Sequence, residues 1–121
     1  MSSRLVQSVA AVAALAAAGC AAQPALPPAP ADLVAAIGRS GPNECNPELA
    51  SVLAHHGVTA AMINSVRYMP NFTVNRHGGE MNGQTAWVYL NGQPGAGLVT
   101  LSTGCRLESI AADGGLKYPR S

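Results

Sequence analysis

The chain is short of aromatic residues, of charge and of cysteine, and each shortage excludes something. Only Tyr68, Phe72, Trp87, Tyr89 and Tyr118 are aromatic, so a core has to be built from Leu, Val, Ile, Ala and Met. Charged residues make up 11% of the 121, with seven Lys+Arg against six Asp+Glu. So balanced a chain has no electrostatic footprint for nucleic acid, and no basic run suits an anionic bilayer surface. No Cys-x-x-Cys pair is present, which removes the usual zinc spacings. "GQPGAG" follows a strand but opens no helix, so it is a loop and not a phosphate cradle. Ser65 and Ser102 lack the strand–turn–helix elbow of a hydrolase. The sequence therefore offers no catalytic constellation and requires no cofactor.

What is present begins at the N-terminus. Met1–Arg4 carries one basic residue, and Leu5–Ala18 is apolar apart from Gln7 and Ser8. That stretch is shorter than the roughly 20 residues a helix needs to cross the hydrocarbon core. A basic start, a short apolar region and an exit of small residues describe a secretory signal peptide over residues 1–19. The exit, "AAGC", resembles the lipobox of bacterial lipoproteins, with Ala17 where Leu is usual. The resemblance implies cleavage before Cys20 and lipidation of that cysteine. A single acyl chain holds a bilayer only marginally, so a cysteine carrying several suits an anchor. The alternative is ordinary cleavage after Ala22, with Cys20 discarded. Ala21 follows the cysteine, and by resemblance to enteric sorting rules that favours the outer membrane, facing the periplasm.

Residues 20–31 then hold four prolines, no charge and no large residue except Leu26. Such a tract prefers polyproline II and builds no core. At roughly 3 Å per residue it would hold a domain about 25–30 Å from the membrane. Two cysteines remain, Cys45 and Cys105. In an oxidising compartment they are expected to pair, closing a loop whose cross-link is worth about 4 kcal/mol in the chain-entropy model.

Residues 32–121 read as a small α+β domain: two or three short helices packed on a three- to four-stranded antiparallel meander. Asp32 is placed to cap "DLVAAIG", which Gly38 stops. Asn46-Pro47-Glu48 opens a second helix with Leu49, Val52, Leu53 and His56 on one face and Gly57 at its end. "TAAMINS" suggests a third helical turn from Thr59, with Met62, Ile63 and Val66 inward, ended by Pro70. "NFTVN" alternates, "HGGEMNGQ" reads as turn, and "TAWVYL" sets Ala86, Val88 and Leu90 against Trp87 and Tyr89. Ser102-Thr103-Gly104 signals a hairpin between "LVTLS" and a strand that Cys105 opens, with Leu98 or Val99, Leu101, Leu107 and Ile110 buried. The "LKYPRS" end reads as a frayed tail.

"GVTAAMINSVRYMP", Gly57 to Pro70, resembles the Gly-Met-Thr…Val…Leu-Gly-x-Pro segment of the BamE/SmpA lipoproteins, with Gly57, Thr59, Ile63 and Pro70 at matching spacings. "WVY" resembles that family's Trp-x-Tyr strand, and "LSTGCRLESI" its last hairpin. Arg67 and Tyr68 stand where Leu and Gly are expected. The resemblance implies helices followed by a three-stranded sheet, and a non-enzymatic role beside the outer-membrane barrel-assembly machine. No binding residue of that family transfers.

Metal binding has few resources. Adjacent helical residues point about 100° apart, so His55 and His56 do not share one ion easily. One of them with His77 and Glu80 is the remaining zinc set. Glu80 and Glu108 are two of only six acids and carry no special spacing. "NFT" fits the N-glycosylation triplet, a coincidence in a bacterial lipoprotein. Two functions remain. One is a non-enzymatic envelope module, structural or docking other envelope proteins, with Trp87 and Tyr89 as the candidate surface, since such residues are enriched at binding hot spots; the alternative for these two is packing under the helices. The other is a periplasmic protein that binds a small ligand or metal, or inhibits an enzyme. Either reading starts from the anchor, so Cys20→Ser is expected to release the protein into the soluble periplasmic fraction or leave it unprocessed. Unchanged membrane fractionation of that variant, with a mature mass beginning after Ala22, would contradict lipidation.

Overall fold

A computed structural model describes residue 26 and residues 28–120; Cys20 and the signal segment lie outside the described residues. Helix α1 spans Ala31–Gly38 and helix α2 Asn46–His55. Four strands follow: β1 Ile63–Asn75, β2 Gly78–Leu90, β3 Ala96–Leu101 and β4 Leu107–Asp113. They pair antiparallel in chain order, a meander. The class is α+β, as the change of period along the sequence implied.

The helices form as the apolar spacing requires, but their starts differ from expectation. Pro30, not Asp32, occupies the cap position of α1. Asp32 sits in the first turn, where its charge meets the positive helix end and its carboxylate accepts from Leu33 N–H at 2.8 Å. In α2 the cap position is Cys45, with Asn46 already helical and buried. The Asn46 side chain looks inward: it donates to the Gly41 carbonyl and accepts from the Tyr68 hydroxyl at 2.7 Å. Burying an amide is tolerated because its hydrogen bonds are made. Gly57 ends α2 with φ +83. Gly57 N–H bonds to the Ala54 carbonyl and Val58 N–H to the Leu53 carbonyl, a Schellman closure with Val58 buried behind it.

The expected third helix is not there. Residues Ala60–Met62 form one 3-10 turn, and β1 begins at Ile63. Ile63 and Val66 are both buried, as expected, although three positions apart in a strand. The pairing slips between Ile63 and Ser65, so Asn64 is an extra residue and the two apolar side chains return to one face. A bulge thus imitates helical spacing. Pro70 does not stop the chain either. It lies inside β1, which is an edge strand, where a missing N–H is tolerated.

"HGGEMNGQ" is not a turn. Asn75 pairs with Gly78, leaving Arg76 and His77 as the tip, and Gly78–Gln84 belongs to β2. Gln84 is the first β2 residue that pairs with β3, so the hairpin beyond it projects as a two-stranded arm. Last, Cys105 does not open β4. It lies in the turn between β3 and β4, the one non-glycine among the described residues with positive φ (62°), and β4 starts at Leu107. Leu107 remains 40% exposed.

One core lies between the layers. Leu33 and Ile37 of α1 and Leu49, Val52 and Leu53 of α2 meet Ala86, Val88 and Leu90 of β2 and Val99 and Leu101 of β3. Ala29, just before α1, packs against the same cluster.

The "LKYPRS" end is fastened rather than frayed. Leu116 is buried. The Tyr118 hydroxyl donates to the Ala111 carbonyl at 2.7 Å, and its ring covers Gly97, where a Cβ would collide with that hydroxyl. Arg120 donates through Nε to the His55 carbonyl, through Nη2 to Ala54 and through its backbone N–H to His56. A guanidinium on the last carbonyls of α2 also meets the negative helix end. Leu116→Ala is therefore expected to cost about 2–5 kcal/mol in denaturant unfolding, as for other buried leucines; a change below about 0.5 kcal/mol would mean that the tail is frayed after all.

Candidate functional site

Alternation along β2 sends Ala86, Val88 and Leu90 under the helices and Thr85, Trp87 and Tyr89 to the opposite face. Among the described residues no helix covers that second face. Trp87 pairs with Arg67 on β1 and with Leu98 on β3, and both Trp87 and Tyr89 are half-buried. Trp87 and Tyr89 thus share the face away from the core. Trp87 lines a shallow groove of about 440 Å³ with Met69, Asn71, Thr85, Leu98 and Thr100; Tyr89 is outside its lining.

Neighbouring strands build the groove's polar side. Asn71, Thr85 and Thr100 form a row across β1, β2 and β3, with Asn71 Nδ2 3.1 Å from Thr85 Oγ1 and the two threonine hydroxyls 3.2 Å apart. None of the residues lining the groove is charged. The aromatic ring is thus flanked by apolar Leu98 and Met69 and by a satisfied hydroxyl–amide row. Such a surface can bury against a partner without leaving an ion unpaired. Thr85 shares the face by alternation along β2, whereas Leu98, named in the sequence only as an alternative to Val99 for the buried side, and Thr100 reach Trp87 through strand register.

Cys45 and Cys105 are joined in a disulfide, with Cα atoms 5.2 Å apart. It connects the start of α2 to the β3–β4 turn. Gln84 supports it from β2: its amide exchanges two hydrogen bonds with Asn43, and its Nε2 lies 3.3 Å from Cys45 Sγ. Beside the bond, Leu26 of the proline-rich tract shares a shallow groove with Val52 and Leu107.

The histidine sites are dispersed. His55 is exposed at the end of α2. His56 is half-buried: its Nδ1 lies 3.0 Å from the Arg120 carbonyl and its ring packs on Tyr118. His77 stands at the hairpin tip and Glu80 on the arm, and the set expected for zinc is not brought together among the described residues. The only cluster of potential ligands among the described residues joins Glu44 to Cys45 and Cys105, whose sulfurs are spent on each other.

Two phenols are perturbed. Burial, with the charge of Glu48 adding to it, pushes Tyr68 well above its ordinary range. Burial pushes Tyr118 up to about 12, partly opposed by a backbone hydrogen bond from Leu98. Both are structural, since each hydroxyl closes a contact between layers or strands.

Comparison with protein-family models, with curated proteins and with solved structures found no match. The chemistry legible at the disulfide is that of a fastener. Replacing Cys45 and Cys105 by alanine together is expected to lower unfolding free energy by about 4 kcal/mol. Thiol labelling of the denatured, unreduced protein should find neither of the two free; labelling of both would overturn the pairing.

Proposed function

We propose that this chain is a non-enzymatic lipoprotein of the bacterial envelope, held by Cys20 and docking other envelope proteins through the open face of its sheet. The observation that carries the reading is the uncovered, uncharged groove around Trp87, bounded by Leu98, Met69 and the Asn71–Thr85–Thr100 row. Trp is among the residue types that dominate binding energy when a partner desolvates them. Supporting it is the N-terminal pattern, a short apolar signal ending in "AAGC" and followed by a proline-rich tract. The resemblance of Gly57–Pro70 to the BamE/SmpA lipoproteins extends the proposal towards outer-membrane assembly. That segment spans the 3-10 turn and β1 from Ile63 as far as Pro70.

The test is affinity purification of the chain and of its Trp87→Ala variant from detergent-solubilised envelope. A specific envelope protein is expected to co-purify, with recovery reduced about tenfold or more by the substitution, the effect of losing about 1.4 kcal/mol or more. Equal recovery with both forms would remove the open face from the interaction. A bound small molecule or metal in the native mass spectrum would favour the ligand-binding alternative instead.

A further inference from the structure

The exposed large apolar residues are not scattered. Of the six among the described residues, Met69, Phe72, Val74 and Met81 lie on the β1–β2 hairpin, with Phe72 62% and Val74 82% exposed. Phe72 pairs with Met81 across the arm, and alternation puts Val74 on the same side as Phe72. Met81 also lines a cleft with Asn43 and Glu44 of the α1–α2 loop, which sets this apolar side on the helical side of the sheet, away from Trp87.

The outer edge of β1 is closed along one half and open along the other. Val66 N–H points outward and donates to Ser40 Oγ at 2.9 Å. Alternation then makes Tyr68, Pro70, Phe72 and Val74 the other outward positions. The hairpin end gives the same phase: Asn75 and Gly78 close a two-residue tip, and the closing residues of such a tip bond to each other. Pro70 sits at an outward position and has no N–H to offer. Beyond it, the N–H and C=O groups of Phe72 and Val74 face solvent. Edge strands normally protect such groups with lysine, proline or a bulge at the edge. Asn71–Asn75, "NFTVN", has no charge and no proline, and the irregularity here falls on β2, where Asn82 is the extra residue.

The segment is self-complementary. Read in either direction from Thr73, it offers Phe72 or Val74 and then Asn. We propose that two copies of this chain join edge to edge at Asn71–Asn75, antiparallel about a two-fold axis through Thr73, making one continuous sheet. Phe72 of each copy faces Val74 of the other, and these are the residues with free backbone groups, so each such pair exchanges both hydrogen bonds. An aromatic residue opposite a β-branched one is a favourable cross-strand pair. Phe72, Val74 and Met81 of both copies then form one apolar strip. Arg76 falls opposite Pro70 of the second copy, so no like charges meet. An isologous contact of this kind closes on itself and does not propagate.

Sedimentation of the purified chain is expected to give twice the mass of one chain. Val74→Lys and Val74→Pro should each return it to the single mass with unchanged far-ultraviolet circular dichroism, because Val74 N–H makes no bond within the arm. Thr73→Cys places two sulfurs on the two-fold axis, and a non-reducing gel should show a doubled mass that disappears on adding Val74→Lys. A single-chain mass for the unmodified protein, a dimer insensitive to both Val74 substitutions, absence of the Thr73→Cys link, or linkage to a different protein overturns the proposal.

Discussion

Two helices of eight and ten residues have enough apolar surface to cover one face of a four-stranded sheet and no more. Everything else follows from that limit. The aliphatic residues are spent where the helices lie, with Leu33, Ile37, Leu49 and Leu53 nearly inaccessible above Val88 and Val99. Close packing of such small side chains gives a thin core, and a thin core leaves little stability in reserve. The second face, with Trp87 and Leu98, and the arm, with Phe72 and Val74, are left outside it. The apolar surface left open in this molecule is what the core does not reach.

Such a core gains from fastening, and the chain supplies fasteners of different chemistry. The Cys45–Cys105 bond works by restricting the unfolded chain. The amide pair of Asn43 and Gln84 and the bond from Tyr68 to Asn46 join the loop before α2 to the first two strands. At the other end of α2, Arg120 and Tyr118 tie the helix to the far strands. Each fixes a point where helix meets sheet, so the layers are held at both ends of α2 rather than only through its middle.

How far the sequence revealed this depends on whether a signal was local. The α2 start at Asn46-Pro47-Glu48, its end at Gly57 and the alternation of β2 from Thr85 to Leu90 are local chemistry, and each was legible. The half of β1 before Pro70 was not, because the Asn64 bulge restores a three-residue spacing that reads as helix. The glycines of "HGGEMNGQ" read as turn because glycine usually marks one, yet a two-stranded arm open to solvent makes few packing demands on its residues. The docked C-terminal residues were missed for another reason: Tyr118 meets Gly97 and Arg120 meets α2 only in three dimensions. At the candidate site Trp87 and Tyr89 were visible through alternation, which also sets Thr85 beside Trp87, whereas Leu98 and Thr100 join Trp87 through register alone.

Several of the fasteners come late in the chain. Cys105, Leu116, Tyr118 and Arg120 all come after both helices and the first two strands. A chain delivered from its N-terminus therefore exposes α1, α2 and the apolar arm before any of their late partners has emerged. Contacts this distant in sequence form slowly because a long loop must close first. The domain is completed from its end backwards, and a chain truncated before Cys105 would carry both helices and the arm held only by their early contacts, a ready target for proteolysis.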